Sequence, residues 1–237
     1  MLVEEVASLF RKYTDESDTT FLTDDDVALY LYLGYSDFRQ FVENIDYYSY
    51  KETATYTNVV SQELDLANAG ALGPNIMGAS PTVADEKVKT ILRIYATNPP
   101  NSDIQFFYTP VQNREALYSI PNDYLTKYCL EGTSLFFSTE PANSDFSIDY
   151  QPITPTTLFT TVNIQPGANV YIDEYEAFHD LIALMAYEHY AIRDVAENPM
   201  VTRRMLLRKQ QLNDFITRGR LERANRFVIS DDAYFVT

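Results

Sequence analysis

Helical periodicity at both ends of the chain encloses a middle, residues 51–170, that reads almost wholly as short strands and turns. Two helical ends can pack on each other, so the β segment becomes an insertion carried on a helical stem. The expected fold class is α+β, with a stem of N- and C-terminal helices and an inserted antiparallel β-sandwich or barrel-like domain. The expected boundaries are 1–50 for the N-terminal stem helices, 51–170 for the β domain, 171–226 for the C-terminal stem helices and 227–237 for an extended tail. Such a layout points to an assembly part more than to an enzyme.

The helix signals are explicit. Leu2, Val6, Leu9 and Tyr13 mark a first helix, and residues 14–20 form a polar loop. Thr23 is a suitable N-cap for a second, longer helix. Asp24, Asp25 and Asp26 put negative charge at the positive end of its dipole, and Leu22 can staple onto Val27. Its apolar or small stripe is Val27, Leu31, Gly34, Phe38, Phe41 and Ile45. Near the other end, Asp173 is the expected N-cap of a helix whose stripe is Tyr175, Phe178, Ile182, Met185, His189 and Ile192. Asn198 caps a last helix that starts at Pro199, carries Val201, Met205, Leu212, Phe215 and Ile216, and runs to about residue 225. Two antiparallel helical hairpins, one from each end, are the simplest stem.

Turn residues punctuate the middle: Asn-Pro-Pro-Asn at 98–101, Glu-Gly-Thr at 131–133, Glu-Pro-Ala-Asn-Ser at 140–144 and Gln-Pro-Gly at 165–167. Strands are expected over 57–66, 88–96, 104–109, 124–130, 134–138, 146–150 and 157–164, with a long loop over 67–85. Seven short strands suit a small sandwich or barrel.

With 237 residues and 46% apolar content the chain can bury one good core, or a stem core and a β core that share an interface. No run approaches the ~20 apolar residues of a membrane helix, and no signal peptide precedes the first helix. The single cysteine, Cys129, lies in an expected strand and reads as a small buried hydrophobe. The net charge is −16, but residues 199–226 carry eight Lys or Arg against two Asp or Glu, a balance of +6. A basic helix in an acidic chain is an electrostatic handle for nucleic acid or an acidic partner surface, or else a solvated face that balances the rest of the chain.

A search for chemistry finds no Gly-rich phosphate loop, no paired CxxC, no Gly-x-Ser-x-Gly elbow and no His-Glu-x-x-His, so no catalytic residue, cofactor or metal is expected. Glu176 with His179 has the i, i+3 spacing used in di-iron bundles. Those sites need the pair twice, and His189 has no glutamate three residues before it; His189 reads as a histidine satisfied by a neighbouring helix. Tyr47, Tyr48 and Tyr50 are hard to bury together and suit a junction or a subunit contact.

Several stretches are similar to one family. They are the capped helix from Phe21-Leu22-Thr23-Asp24-Asp25-Asp26 to Tyr35-Ser36-Asp37-Phe38-Arg39-Gln40-Phe41, the insert segment Tyr128-Cys129-Leu130-Glu131-Gly132-Thr133-Ser134-Leu135-Phe136-Phe137-Ser138-Thr139-Glu140-Pro141, the strand Phe146-Ser147-Ile148-Asp149-Tyr150, and the helix end Arg218-Gly219-Arg220-Leu221-Glu222-Arg223-Ala224. In this order they resemble the head-to-tail adaptor, or connector, proteins of short-tailed bacteriophages. The resemblance implies a structural virion protein in the neck between capsid and tail, assembled in the host cytoplasm. It would form a homo-oligomeric ring, usually of twelve copies, beneath the portal protein, bind tail or hub proteins, and extend the channel through which DNA passes without sequence-specific binding or any membrane. An acidic channel wall fits that role, since it repels phosphate where a basic one would hold it.

Within this resemblance, Leu29, Leu33 and Leu184 would supply lateral ring contacts. Arg203, Arg204 and Arg208, with Phe227, Val228, Ile229, Tyr234 and Phe235 on the tail, would engage the portal. Two other classes fit the residues less fully: a polysaccharide-binding or decoration module using the β insert, and a cell-wall hydrolase, which would need paired carboxylates at a cleft.

Overall fold

The structure, a computed structural model, describes residues 1–15, 21–77, 88–96, 106–118, 126–138, 145–172, 175–194 and 198–232. The expected turns at 98–101 and 140–144 and the N-cap Asp173 lie outside these residues. The chain divides into two compact units, one formed by Met1–Ser49 with Thr156–Thr237 and the other by Tyr50–Pro155. The class is α+β, with the terminal helices in one unit and two sheets in the other.

In the helical unit, α1 (Val3–Thr14) and α2 (Asp24–Ile45) are followed, after the β unit, by α4 (Asp180–Asp194) and α5 (Pro199–Asp232). The cap of α2 forms as expected: Asp26 N–H donates to Thr23 Oγ1 and Thr23 N–H donates to Asp26, closing a capping box. Leu22 and Val27 are both buried. Arg11 of α1 donates to the Leu22 carbonyl and pairs with Asp24 at 2.6 Å, tying α1 to the start of α2.

The centre of the unit is α4, where every residue from Leu181 to Tyr187 is buried. A helix that is apolar around its whole circumference must be packed on all sides, and α1, α2 and α5 all contact α4. Leu184 is therefore fully buried in the stem and is not a lateral contact residue, whereas Leu29 is 54% exposed. The α2–α4 crossing is close because Gly34 has no side chain: a Cβ there would lie 2.6 Å from both the Ala186 nitrogen and the Ile182 oxygen.

Upstream of α4, Tyr175 has φ of 56°, a left-handed conformation that interrupts a helix. A 3-10 turn over Glu176–Phe178 follows, so α4 starts at Asp180 rather than just after residue 173. Tyr175 is held there by a hydrogen bond between its hydroxyl and that of Ser49, 3.0 Å.

Residues 156–172, expected as the last part of the β domain, belong to the helical unit. Residues 157–164 form turns instead of a strand. Their partners explain the difference: Phe159 packs against Tyr35 with ring centroids 5.5 Å apart, Gln165 donates to Asp24 at 2.7 Å, and Val3 N–H donates to the Val170 carbonyl at 2.9 Å. At the other end, α5 does not stop near 225. Its backbone stays helical through residues 227–232, which corrects that part of the tail expected over 227–237, while 233–237 lie outside the described residues; no proline or glycine follows Gly219 to end the helix.

Among the described residues the β unit contains two four-stranded sheets. One has the order β1 (Glu52–Tyr56), β8 (Phe146–Pro152), β3 (Val88–Ala96), β4 (Phe106–Phe107). The other has β2 (Glu63–Asp65), β7 (Ser134–Phe137), β6 (Lys127–Glu131), β5 (Thr109–Pro110). A short helix, α3 (Arg114–Tyr118), precedes β6. Strand 88–96 forms as expected, while 57–66 resolves into β2 and a loop behind an earlier β1. Among the described residues the strand pairings are antiparallel, as expected, with one parallel pairing of β5 with β6 at a sheet edge. The Glu-Gly-Thr turn joins β6 to β7 with Gly132 at φ of 61°. Both sheets contribute to one core: Tyr56 stacks on Phe146 at 5.4 Å, and Phe137 of the second sheet meets Phe146 edge-on at 5.3 Å. That is sandwich packing.

Candidate interaction surface

The site is built on α5. Asn198 accepts from Met200 N–H through its side chain and from Val201 and Thr202 through its carbonyl, so the helix starts where expected. Val201, Met205, Leu212 and Ile216 are buried and recur at helical spacing, fixing one face of α5 on the stem. Phe215 does not join that face; it is 57% exposed.

The three arginines named from sequence have different environments. Arg208 is an internal clamp: its Nε donates to Asp180 at 3.0 Å, a second nitrogen reaches Asp180 and the Ala177 carbonyl, and the guanidinium lies 4.9 Å from the centre of the Phe178 ring. Asp180, the first residue of α4, is held at the positive end of that helix dipole. Arg204 approaches the same carboxylate at 3.6 Å and lies 5.7 Å from the Tyr13 ring, while remaining half exposed. Arg203 is exposed. Burial pushes the Tyr13 hydroxyl pKa up, against the opposing charge of Arg204. Phe227, Val228 and Ile229 are on the helical backbone of α5; Tyr234 and Phe235 lie outside the described residues.

Beside the Arg208 clamp, Tyr175, Phe178, Phe215 and Ile216 with Asp214 and Arg218 line an open groove of about 670 Å³. Further along, Arg220 donates to the Ile45 carbonyl at the C-terminus of α2, supplying the cation that the last turn of α2 lacks in its own sequence.

Glu176 and His179, spaced as a metal pair would be, separate. Glu176 is largely exposed and pairs with the Met1 amino group at 2.9 Å, whereas His179 is fully buried. His189 Nε2 lies 2.8 Å from Asp37 on α2, a histidine satisfied by a neighbouring helix as expected. Among the described residues no three His, Cys, Asp or Glu side chains group to hold a metal ion, and no helix is long and apolar enough to cross a membrane. Cys129 is buried, with burial and Glu131 both pushing its thiol pKa up. Tyr47 and Tyr48 are about half exposed and pack edge-to-face at 5.6 Å.

Sequence reasoning missed a buried ionic cluster in the β unit. Asp149 of β8 is fully buried and accepts from Thr53 at 2.6 Å, Arg93 at 2.6 Å and Lys51 at 3.1 Å. Thr53 and Arg93 are its cross-strand partners in β1 and β3. Burial pushes its pKa up, but the three donors outweigh it and hold the carboxyl below the usual carboxylate range. A carboxylate with three donors and no exposed surface stabilises the sheet and offers no face to a substrate. Its partners are too far apart in sequence for any local motif to reveal it.

Compared with known proteins, the chain matches no family model and no curated protein.

Proposed function

We propose that the chain is a head-to-tail adaptor of a short-tailed bacteriophage, a non-enzymatic virion protein assembled in the host cytoplasm. In the neck it forms a ring, usually of twelve copies, beneath the portal, contacts tail or hub proteins, and continues the DNA channel. The observation that carries this reading is α5: 34 residues long, about 51 Å, pinned to the stem through Val201, Met205, Leu212 and Ile216 and turning Met200, Arg203, Leu206, Leu207 and Arg218 outward. The sequence resemblance and the acidic charge of −16, which lets DNA slide past without holding it, support it further.

Arg208 works inside the stem, so the portal contact falls to Arg203 and Arg204 and to the end of the chain at Phe227, Val228, Ile229, Tyr234 and Phe235. The test is co-sedimentation of the full chain with purified portal rings of the virus that encodes it. The chain should pellet with the rings in a salt-dependent way, and the double variant Arg203→Glu, Arg204→Glu should pellet at least about tenfold less well. No pelleting with portal at low salt, or equal pelleting of the variant, would overturn this assignment.

A further inference from the structure

Phe215 leans on Phe178 of the stem with ring centroids 5.5 Å apart, whereas the outward face of α5 carries Met200 at 81%, Leu206 at 60% and Leu207 at 54% exposure around exposed Arg203, with exposed Arg218 further along. The stem cannot cover these residues, because Val201, Met205, Leu212 and Ile216 already fix the opposite side of the helix on it. Scattered exposed apolar residues are ordinary, but three large ones gathered around an arginine on the outward side of one helix mark a contact surface. A second such surface lies at the start of α2, where Phe21 is 76% exposed and Leu29 54% exposed, with exposed Asp25 between them and Asp24 and Asp26 on either side.

The charges of the two surfaces are opposite. Exposed Arg203 and Arg218 stand on the α5 surface, and exposed Asp25, flanked by Asp24 and Asp26, stands on the α2 surface. Pairing α5 with α5 would oppose arginines, and pairing α2 with α2 would oppose aspartates; pairing α5 with α2 satisfies both. The partners cannot be one molecule's own surfaces, since both are exposed in the single chain. We propose that the outward face of α5 docks, head to tail, on the Phe21, Asp25, Leu29 face of a second copy of this chain. Such a heterologous contact leaves one face open on each end copy, so it propagates until a ring closes. The proposal deepens the adaptor reading by naming the contact, and rests on it only for ring closure; the pairing itself forms in solution at high protein concentration.

The test uses full-length chains in which Cys129 is replaced by serine. Leu29→Cys and Leu207→Cys variants are mixed and treated with a short bismaleimide. A cross-linked pair is expected from the mixture, with little from either variant alone or from Leu29→Cys mixed with Val162→Cys, a control at another exposed position of the same unit. In sedimentation velocity, Arg203→Glu should raise the concentration needed for association by about tenfold or more, and adding Asp25→Arg to it should restore association. A chain that stays monomeric over the accessible concentrations, Leu207→Cys cross-linking mainly to itself, or a charge reversal that fails to restore association while circular dichroism stays native would overturn the proposal. Arg203 stands in both contacts, so the cross-link separates them: it forms without portal, and a Leu29–Leu207 cross-link with no portal binding would remove the portal contact alone.

Discussion

Arg208 joins α5 to the start of α4 through two different kinds of contact, a multidentate pair with the mostly buried Asp180 and a face-on approach to Phe178. Removing it strands a carboxylate, so Arg208→Ala should destabilise the helical unit by about 2 kcal/mol, and Arg208→Lys should recover little because an ammonium cannot reproduce the fork. Arg203→Ala, on the exposed side, should stay within about 0.5 kcal/mol of the parent in urea denaturation. A second ionic test lies at Asp149. Its folded pKa is depressed, so it contributes stability above its unfolded value near ~3.9 that is lost as pH falls through the folded value. Asp149→Asn should therefore cost the β unit about 2 kcal/mol at neutral pH and leave less acid dependence below about pH 4, read from urea midpoints across pH. Equal acid slopes for the two chains would contradict the assignment. At this scale the sequence was legible where partners are local or on a stripe, as with Thr23 and Asp26 or His189, and opaque where strands or helices distant in sequence bring charges together, as at Asp149 and Arg208.

Among the elements, α4 decides how the helical unit packs, and its crossing with α2 turns on Gly34. In an isolated helix, glycine to alanine gains about 1 kcal/mol. Here the added methyl meets backbone, which cannot swing aside, so overpacking wins. Gly34→Ala should lower the thermal midpoint, and a raised midpoint would show that the helices part without cost. Caps and stripes made α1, α2 and α5 readable from sequence, because those signals act within one or two turns. Residues 157–164 were not readable: threonines, Phe159 and Ile164 imitate a strand, but their burial is settled by Tyr35 and the stem rather than by a neighbouring strand. The left-handed Tyr175, which sets the true start of α4, likewise depends on a distant partner, Ser49.

For the whole molecule, both chain ends contribute to one unit while the β unit is inserted between residues 50 and 155. The order of helices and strands made that layout visible in the sequence, although the boundary at 155 rather than 170 follows from contacts that no local pattern encodes. The proposed function lives at this scale, since a ring needs each copy to offer two unlike faces and a conduit needs an acidic wall more than a catalytic group. Hydrolysis assays on nucleotides, DNA and peptidoglycan are expected to be blank, and turnover lost on a single carboxylate substitution would speak for an enzyme. The most direct measurement is a cryo-electron microscopy reconstruction of the neck of the virus that encodes the chain. The account predicts a closed ring of this chain directly beneath the portal and coaxial with the DNA, with copies touching through α5 and α2; finding the chain as isolated copies on the capsid surface, or absent from the virion, would contradict it.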